Sequence, residues 1–207
     1  MMVSIKKQLV PNSRANRLTY GYNNSKKYIT IHQTGNTNKG ADAQAHANLQ
    51  SNGNSRSASW HYQVDDKEII QSFPDNAQCW HAGDGRGNGN MNSIAIELCV
   101  NSDGDYRKTL ENGAALVKHL MDKHDIPLSN VKQHNRWSGK NCPAQIRAGK
   151  GGIGWNDFLN MVEGKPKQQT KGKAKTSTKK KTKQSSKSNS KPKANLVVDG
   201  YWGKQTT

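Results

Sequence analysis

The stretch Ser93–Val100 (SIAIELCV) is the most apolar part of this chain and the best guide to its fold. An apolar run of this length is typical of a central strand that is buried on both faces of a sheet. Glu97 breaks the run, and a carboxylate inside such a strand is costly unless it has a partner or a chemical task. From the residues alone, an ion pair with Arg or Lys is the simpler explanation. A general base beside a metal-bound water is the alternative.

Strands and helices are predicted on both sides of this central strand. The predicted strands are residues 28–33, 60–64, 68–73 and 131–134, with 60–64 and 68–73 forming a hairpin. The predicted helices are residues 41–49, 107–124 and 155–162. Residues 83–93 are rich in Gly, Asn and Asp and predict a long flexible loop. This alternation predicts an α/β domain over residues 1–164, built on a single mixed central β-sheet flanked by helices.

Positive charge is concentrated in one segment. The chain has 207 residues and a net charge of +17. Residues 165–194 hold twelve lysines and no acid, which leaves +5 on residues 1–164. Such a segment cannot bury enough apolar surface to offset its conformational entropy, so we expect a disordered linker. It has no arginine or aromatic residue to stack on bases, so we expect loose attraction to a polyanion and no specific nucleic-acid partner.

Other features of the chain bear on its location. No stretch of about eighteen apolar residues is present, so no membrane span is expected. Residues 1–20 are polar, so we expect synthesis in the cytoplasm without a signal peptide. Three cysteines form no even disulfide set, which is typical of a reducing compartment. Residues 195–207 are apolar and aromatic, and we expect them to be the start of a truncated C-terminal module.

The stretch 134–143 (HNRWSGKNCP) combines an imidazole, an amine and a thiol. His32, at the end of an early predicted strand, adds a second imidazole. Two histidines and a cysteine can ligate a catalytic zinc, which takes three protein ligands and leaves the fourth position to water. Lys140 beside such a metal could stabilise an oxyanion, although an exposed loop lysine is the simpler explanation. A cysteine hydrolase with Cys142 as nucleophile and His134 as base is a competing hypothesis.

Five segments, taken in order, resemble the zinc-dependent N-acetylmuramoyl-L-alanine amidases of the type-2 amidase family. The segments are Ile29–Thr34, Ser59–Tyr62, Trp80–Gly83, Ser93–Glu97 and Gln133–Pro143. The chain is similar to Bacillus phage or prophage endolysins of that family. The resemblance implies that Zn2+ is held by His32, His134 and Cys142, with Glu97 and Lys140 as catalytic residues. It also implies hydrolysis of the amide bond between N-acetylmuramic acid and L-alanine of peptidoglycan by zinc-activated water.

Three more residues are candidates for substrate contact. His81 lies beside the glycine-rich loop and is the best of these. Trp60 and His61 are the others, although a hydrogen-bonded core histidine explains His61 equally well. In some family members a tyrosine precedes the histidine that aligns with His61. Trp60 stands there in this chain, so Glu97 is the stronger candidate for the base.

The resemblance also implies partners and a place of action. We expect a monomer that acts on peptidoglycan at the cell wall, after release through a separate pore or by lysis. The Lys-rich linker would be attracted to an anionic cell-wall polymer. Two alternatives stay open: a Cys142/His134 cysteine hydrolase on peptidoglycan, and a non-catalytic wall-binding protein.

Overall fold

The computed structural model describes residues 3–52 and 57–165. Their six strands form one sheet in the order β1-β4-β3-β5-β2-β6. The strands are β1 (Lys6–Lys7), β2 (Tyr28–Gln33), β3 (Tyr62–Val64), β4 (Ile69–Gln71), β5 (Ser93–Leu98) and β6 (Val131–Gln133). The β3–β4 pair is antiparallel and the other pairs are parallel, which confirms the predicted mixed sheet. The predicted linker (165–194) and C-terminal fragment (195–207) lie outside the described residues, apart from Lys165.

Helices flank this sheet, as predicted. They are α1 (Asn12–Ala15), α2 (Ala43–Ser51), α3 (Asn88–Asn92), α4 (Tyr106–His124), α5 (Asn135–Ser138), α6 (Ala144–Arg147) and α7 (Trp155–Val162). Short 3-10 turns lie at Leu128–Asn130 and Lys150–Gly152. None of the helices that the structure describes is long and apolar enough to cross a bilayer.

Strand β5 lies between β3 and β2, which confirms its predicted central position. Side chains alternate between the two faces of a strand. On one face Ile94, Ile96 and Leu98 belong to the main hydrophobic core, which α4 and α7 close with buried apolar residues. On the opposite face lie Ser93, Ala95 and Glu97. Along β5, one face therefore packs the main core and the other carries polar side chains, while a second buried cluster (Ala43, Ala47, Ile70 and Cys99) packs α2 elsewhere.

Helix α4 packs very closely on the apolar face. It begins after Asp105, whose carboxylate accepts a hydrogen bond from the backbone N–H of Lys108 at 3.0 Å. It ends at His124, and the next residue, Asp125, adopts the left-handed conformation (φ 53°). A Cβ added at Gly113 would lie 2.5 Å from Cδ2 of Leu98. Glycine at this position therefore allows the helix to reach the sheet.

The glycine-rich segment differs from its prediction, because α3 forms inside the loop expected over residues 83–93. The Asp84 carboxylate accepts from the backbone N–H groups of Gly89 and Asn90 at 2.7 and 3.1 Å. Asn90 Oδ1 accepts from the backbone N–H groups of His81 and Ala82, both at 2.8 Å. Bonds from side chains to the backbone organise this segment, and hydrophobic periodicity gives no sign of them.

Smaller differences concern the ends of elements. Helix α2 begins two residues later than predicted, and the hairpin strands β3 and β4 are shorter than predicted. Strand β1 and helix α1 were not predicted at all.

Candidate metal centre

Three neighbouring parallel strands place the candidate residues at one edge of the sheet. His32 on β2 is in register with Glu97 on β5. Beyond the end of β6, the backbone N–H of His134 donates to the carbonyl of Ile31 at 3.1 Å. The carboxyl ends of β5, β2 and β6 therefore bring Glu97, His32 and His134 side by side. This edge is where α/β sheets commonly bind their ligands.

Cys142 reaches the same place through a turn after α5. Gly139 ends that helix in the left-handed conformation (φ 75°), and the Asn135 amide donates to the carbonyls of Gly139 and Lys140 at 2.8 and 2.9 Å. The ligand atoms of His32, His134 and Cys142 all lie within 4.8 Å of one another, and all three residues are buried. They are thus within reach of a single metal ion.

The donor atoms fit such an ion. His134 Nε2 donates to the Ala82 carbonyl at 3.0 Å, so Nδ1 carries the lone pair. That Nδ1 is buried and has no hydrogen-bond partner among the described residues. Histidine ligands commonly donate their other ring N–H to a carbonyl in this way.

Both histidines are neutral at pH 7. Burial and the nearby charge of Lys140 lower the pKa of His134 to about 4. Burial, followed by the neighbouring imidazoles of His134 and His81, holds the pKa of His32 well below its ordinary value. Neutral imidazole is the form that binds metals.

The surroundings of the Cys142 thiol oppose its metal-binding form, which is the thiolate. Burial and the negative charge of Glu97 raise its pKa to about 12, while a hydrogen bond from the backbone of Gln33 opposes this shift. A thiol with so high a pKa is a weak nucleophile, because the thiolate is the reactive form. A bound metal ion would favour the thiolate. The environment of Cys142 therefore suits a ligand better than a nucleophile.

Glu97 and Lys140 complete the group. Glu97 Oε1 lies 3.9 Å from His32 Nδ1, and its side chain is 13% exposed. Lys140 is exposed, yet its charge lowers the pKa of His32, His134 and Cys142. The structure thus brings together the five residues that the sequence singled out as ligands and catalytic groups.

The three predicted substrate contacts are buried, with exposed fractions of 7% for Trp60, 0% for His61 and 4% for His81. Trp60 Nε1 donates to Gln63 Oε1 at 2.9 Å. His61 Nδ1 accepts from the backbone N–H of Ala95 at 2.9 Å. His81 Nδ1 lies 3.0 Å from His32 Nε2. Substrate contact by these residues stays a prediction; within the protein they bind other protein groups.

Sequence reasoning missed the residues that support the ligands. Gln33 Oε1 accepts from the backbone N–H of Gln145 at 2.8 Å and so holds α6 against β2. The Arg147 guanidinium donates to Gln133 Oε1 at 2.7 Å and to Asn141 Oδ1 at 2.9 Å. Gln33, Gln133 and Asn141 each adjoin a candidate ligand in sequence. That adjacency is the signal that could have found them.

The fold and the donor set define an α/β domain with a candidate three-ligand metal site at the carboxyl edge of its sheet. The family model of N-acetylmuramoyl-L-alanine amidase matches residues 22–145. The chain belongs to the N-acetylmuramoyl-L-alanine amidase family.

Relatives from Bacillus subtilis (strain 168) agree with this assignment. The N-acetylmuramoyl-L-alanine amidase CwlH is 47% identical over 162 residues, covering 78% of this chain and 62% of CwlH. The amidase XlyA is 47% identical over 165 residues, covering 76% of this chain and 54% of XlyA. The solved catalytic domain of XlyA matches with a TM-score of 0.71 and 42% identity, over 77% of this chain and 99% of that domain. The chain spans just over half the length of these curated relatives.

Proposed function

We propose that this protein is a zinc-dependent peptidoglycan amidase that hydrolyses the amide bond between N-acetylmuramic acid and L-alanine. The observation that carries the proposal is the convergence of His32, His134 and Cys142 beside Glu97 and Lys140. Membership of the amidase family supports it, as do the names of CwlH and XlyA.

His32, His134 and Cys142 would hold the zinc ion. When bound, zinc supplies a Lewis acid that polarises the scissile carbonyl and lowers the pKa of a water. The neutral imidazoles offer lone pairs to the ion without first losing a proton. Burial of all three ligands keeps bulk water from competing with them.

Glu97 and Lys140 would act on the substrate itself. The Glu97 carboxylate takes a proton from the attacking water and returns it to the leaving amine. The Lys140 ammonium stabilises the negative charge that develops on the carbonyl oxygen. Lys140 lies on an exposed turn, so it can reach a polymer that approaches from solvent.

Mass spectrometry of digested peptidoglycan tests the reaction. We expect intact glycan strands and free stem peptides that begin with L-alanine. New reducing sugar ends, or cuts within the stem peptide, would refute the amidase assignment.

Replacing the base tests the mechanism. We expect Glu97→Gln to lower kcat by a factor of about 10² to 10⁴, since general-base catalysis contributes that much, while binding to isolated walls persists. Glu111→Gln, at a half-exposed position on α4, is the matched control and should leave kcat unchanged. An unchanged kcat in the Glu97 variant would contradict the role of this carboxylate. A parent chain that binds walls without releasing amino groups would favour the non-catalytic alternative.

Chelation separates the metal mechanism from the cysteine hydrolase. We expect a chelator to abolish wall lysis and added Zn2+ to restore it. Activity that resists chelation but is lost on thiol alkylation would instead assign the reaction to Cys142 and His134.

We further propose that the protein acts on the cell wall as a monomer, with the Lys-rich segment attracted to anionic wall polymers. The twelve lysines and absence of acids in residues 165–194 support that attraction.

A further inference from the structure

We propose that His81 is a positioning residue, which fixes the tautomer of His32 through a buried hydrogen-bond chain that also includes Ser93, Thr30 and Trp137. This inference rests on the proposed metal site. It concerns which nitrogen of His32 faces the metal.

The direction of proton donation along this hydrogen-bond chain follows from the groups at its two ends. The Trp137 indole N–H can only donate, and it lies 2.9 Å from Thr30 Oγ1. The Gly89 carbonyl can only accept, and it lies 2.7 Å from Ser93 Oγ. The Thr30 and Ser93 hydroxyls are 2.8 Å apart. Ser93 therefore gives its single proton to Gly89, and Thr30 gives its proton to Ser93.

This direction determines the tautomer of His81. Its Nε2 lies 3.4 Å from Ser93 Oγ, whose proton is already committed to Gly89. His81 Nε2 must therefore carry the proton and donate. His81 Nδ1 is left with a lone pair.

The tautomer of His81 determines the tautomer of His32 in turn. Its Nε2 lies 3.0 Å from His81 Nδ1, which can only accept, so His32 Nε2 must donate. The lone pair of His32 is then on Nδ1, the nitrogen 3.9 Å from Glu97 Oε1. His134 also has its lone pair on Nδ1. Both histidines are thus prepared to bind the metal before it arrives.

Tight packing keeps this hydrogen-bond chain in place. Thr30 and Ser93 are fully buried and His81 is 4% exposed, so solvent has little access to reverse the bonds. A Cβ on Gly89 would lie 2.8 Å from Cγ of Trp137. The indole therefore packs directly against the backbone that accepts from Ser93.

Nitrogen NMR of the metal-free full chain tests the tautomers directly. In long-range ¹H–¹⁵N spectra we expect protonated Nε2 and unprotonated Nδ1 in both His32 and His81. A proton on Nδ1 of either histidine would overturn the proposal. This result does not depend on activity, so it stands even if the proposed reaction fails.

Variants of His81 test the effect on the metal. Asparagine places an acceptor near the position of Nδ1, whereas leucine fills similar volume without one. Supporting residues of this kind change metal affinity by about 10-fold to 100-fold. We expect His81→Leu to weaken Zn2+ binding by that factor, in competition with a chromophoric chelator, and His81→Asn to retain most of the affinity.

Two controls make this comparison decisive. His119→Leu changes an exposed histidine on α4 and should not alter Zn2+ affinity. The Co2+ absorption spectrum should shift in His81→Leu but not in His81→Asn. Equal weakening in both His81 variants, with unchanged thermal unfolding, would contradict the positioning role. Failure of the parent chain to bind Zn2+ would refute the proposed metal site instead.

Discussion

Cys142 differs from its two histidine neighbours in what binding a metal requires. The thiol must lose a proton to become a ligand, because burial and Glu97 raise its pKa to about 12. His134, whose pKa is lowered to about 4, and His32 are already in the binding form. The same buried environment thus favours the metal-binding form of the two histidines and disfavours the thiolate of Cys142 until a cation is present.

We therefore expect Zn2+ binding at pH 7 to release about one proton per ion. Calorimetry in buffers of different ionisation enthalpy measures this number. Cys99→Ser, at a buried cysteine outside the ligand set, should leave the release unchanged. Release close to zero or close to three protons would contradict the assignment of ligand charges.

The individual site residues could be predicted only in part from sequence. The resemblance gave His32, His134, Cys142, Glu97 and Lys140, and the structure brings them together. It did not give the place of His81 behind His32. That place depends on the fold of the segment 83–93, which is set by the Asp84 and Asn90 side chains.

Elements with a strong hydrophobic pattern were predicted well. Strands β2 and β5 and helices α4 and α7 bury one apolar face or two, and their patterns show this directly. Helix α3 has no such pattern. Strand β1 has only two residues, both exposed lysines, and pairs at the edge of the sheet with β4. Nothing in its own sequence marks it as a strand.

The contact between α4 and β5 is so close that replacing a glycine by alanine there should destabilise the protein, the opposite of the usual effect in a helix. In an exposed helix interior, Gly→Ala stabilises by about 1 kcal/mol. At Gly113 the added methyl group would meet Leu98, which has no exposed surface. We expect Gly113→Ala to lower the free energy of unfolding by about 1–2 kcal/mol, because overpacking costs more than the propensity gains.

Urea denaturation measures this difference. The double variant Gly113→Ala/Leu98→Val makes room for the methyl group and should recover part of the loss. An increase in stability from Gly113→Ala alone would contradict the close packing.

A buried carboxylate ties the C-terminal end of α4 to the loop after β4. Burial alone would raise the pKa of Asp75, but hydrogen bonds from Lys123, Tyr62 and His124 lower it from 3.8 to about 2. A carboxylate with a lowered pKa stabilises the folded state above its unfolded pKa. That contribution is lost as the pH falls from about 4 toward 2, and it amounts to about 2 kcal/mol.

We therefore expect Asp75→Asn to lower the free energy of unfolding at pH 7 by about 2 kcal/mol and to flatten its dependence on pH below about 4. Chemical denaturation across that range measures both effects. Asp122→Asn removes an exposed partner of Lys118 and should change little. An equally steep acid transition in the Asp75 variant would show that other carboxylates control it.

Along the whole sequence, most of the net positive charge falls outside the segment that holds the candidate site. The domain predicted over residues 1–164 carries only +5 of the total charge of +17. The twelve lysines of residues 165–194 supply the other +12, since Asp199 and Lys204 cancel. The proposed attraction between these lysines and an anionic wall polymer would act over about 10 Å at 0.1 M salt. It should therefore affect binding to the wall more than turnover at the site.

Replacing the lysines of residues 165–194 by glutamine in the full chain tests this separation. We expect weaker sedimentation with isolated walls and a smaller effect of added salt, because fewer charges remain to be screened. Hydrolysis of a small soluble muropeptide should be unchanged. Wall binding with the same salt dependence as the parent chain would contradict a role for these lysines.

The two faces of the central sheet have a practical consequence for protein engineering. Along β5, residues that pack the main core alternate with residues on the opposite face. The first set is Ile94, Ile96 and Leu98, and the second is Ser93, Ala95 and Glu97. Substitutions in the first set should change the free energy of unfolding, whereas Glu97 in the second set is the proposed catalytic base and should stay fixed whenever activity is selected. A library that varies Ile94, Ile96 and Leu98 while keeping Glu97 can therefore search for stability without replacing the proposed base.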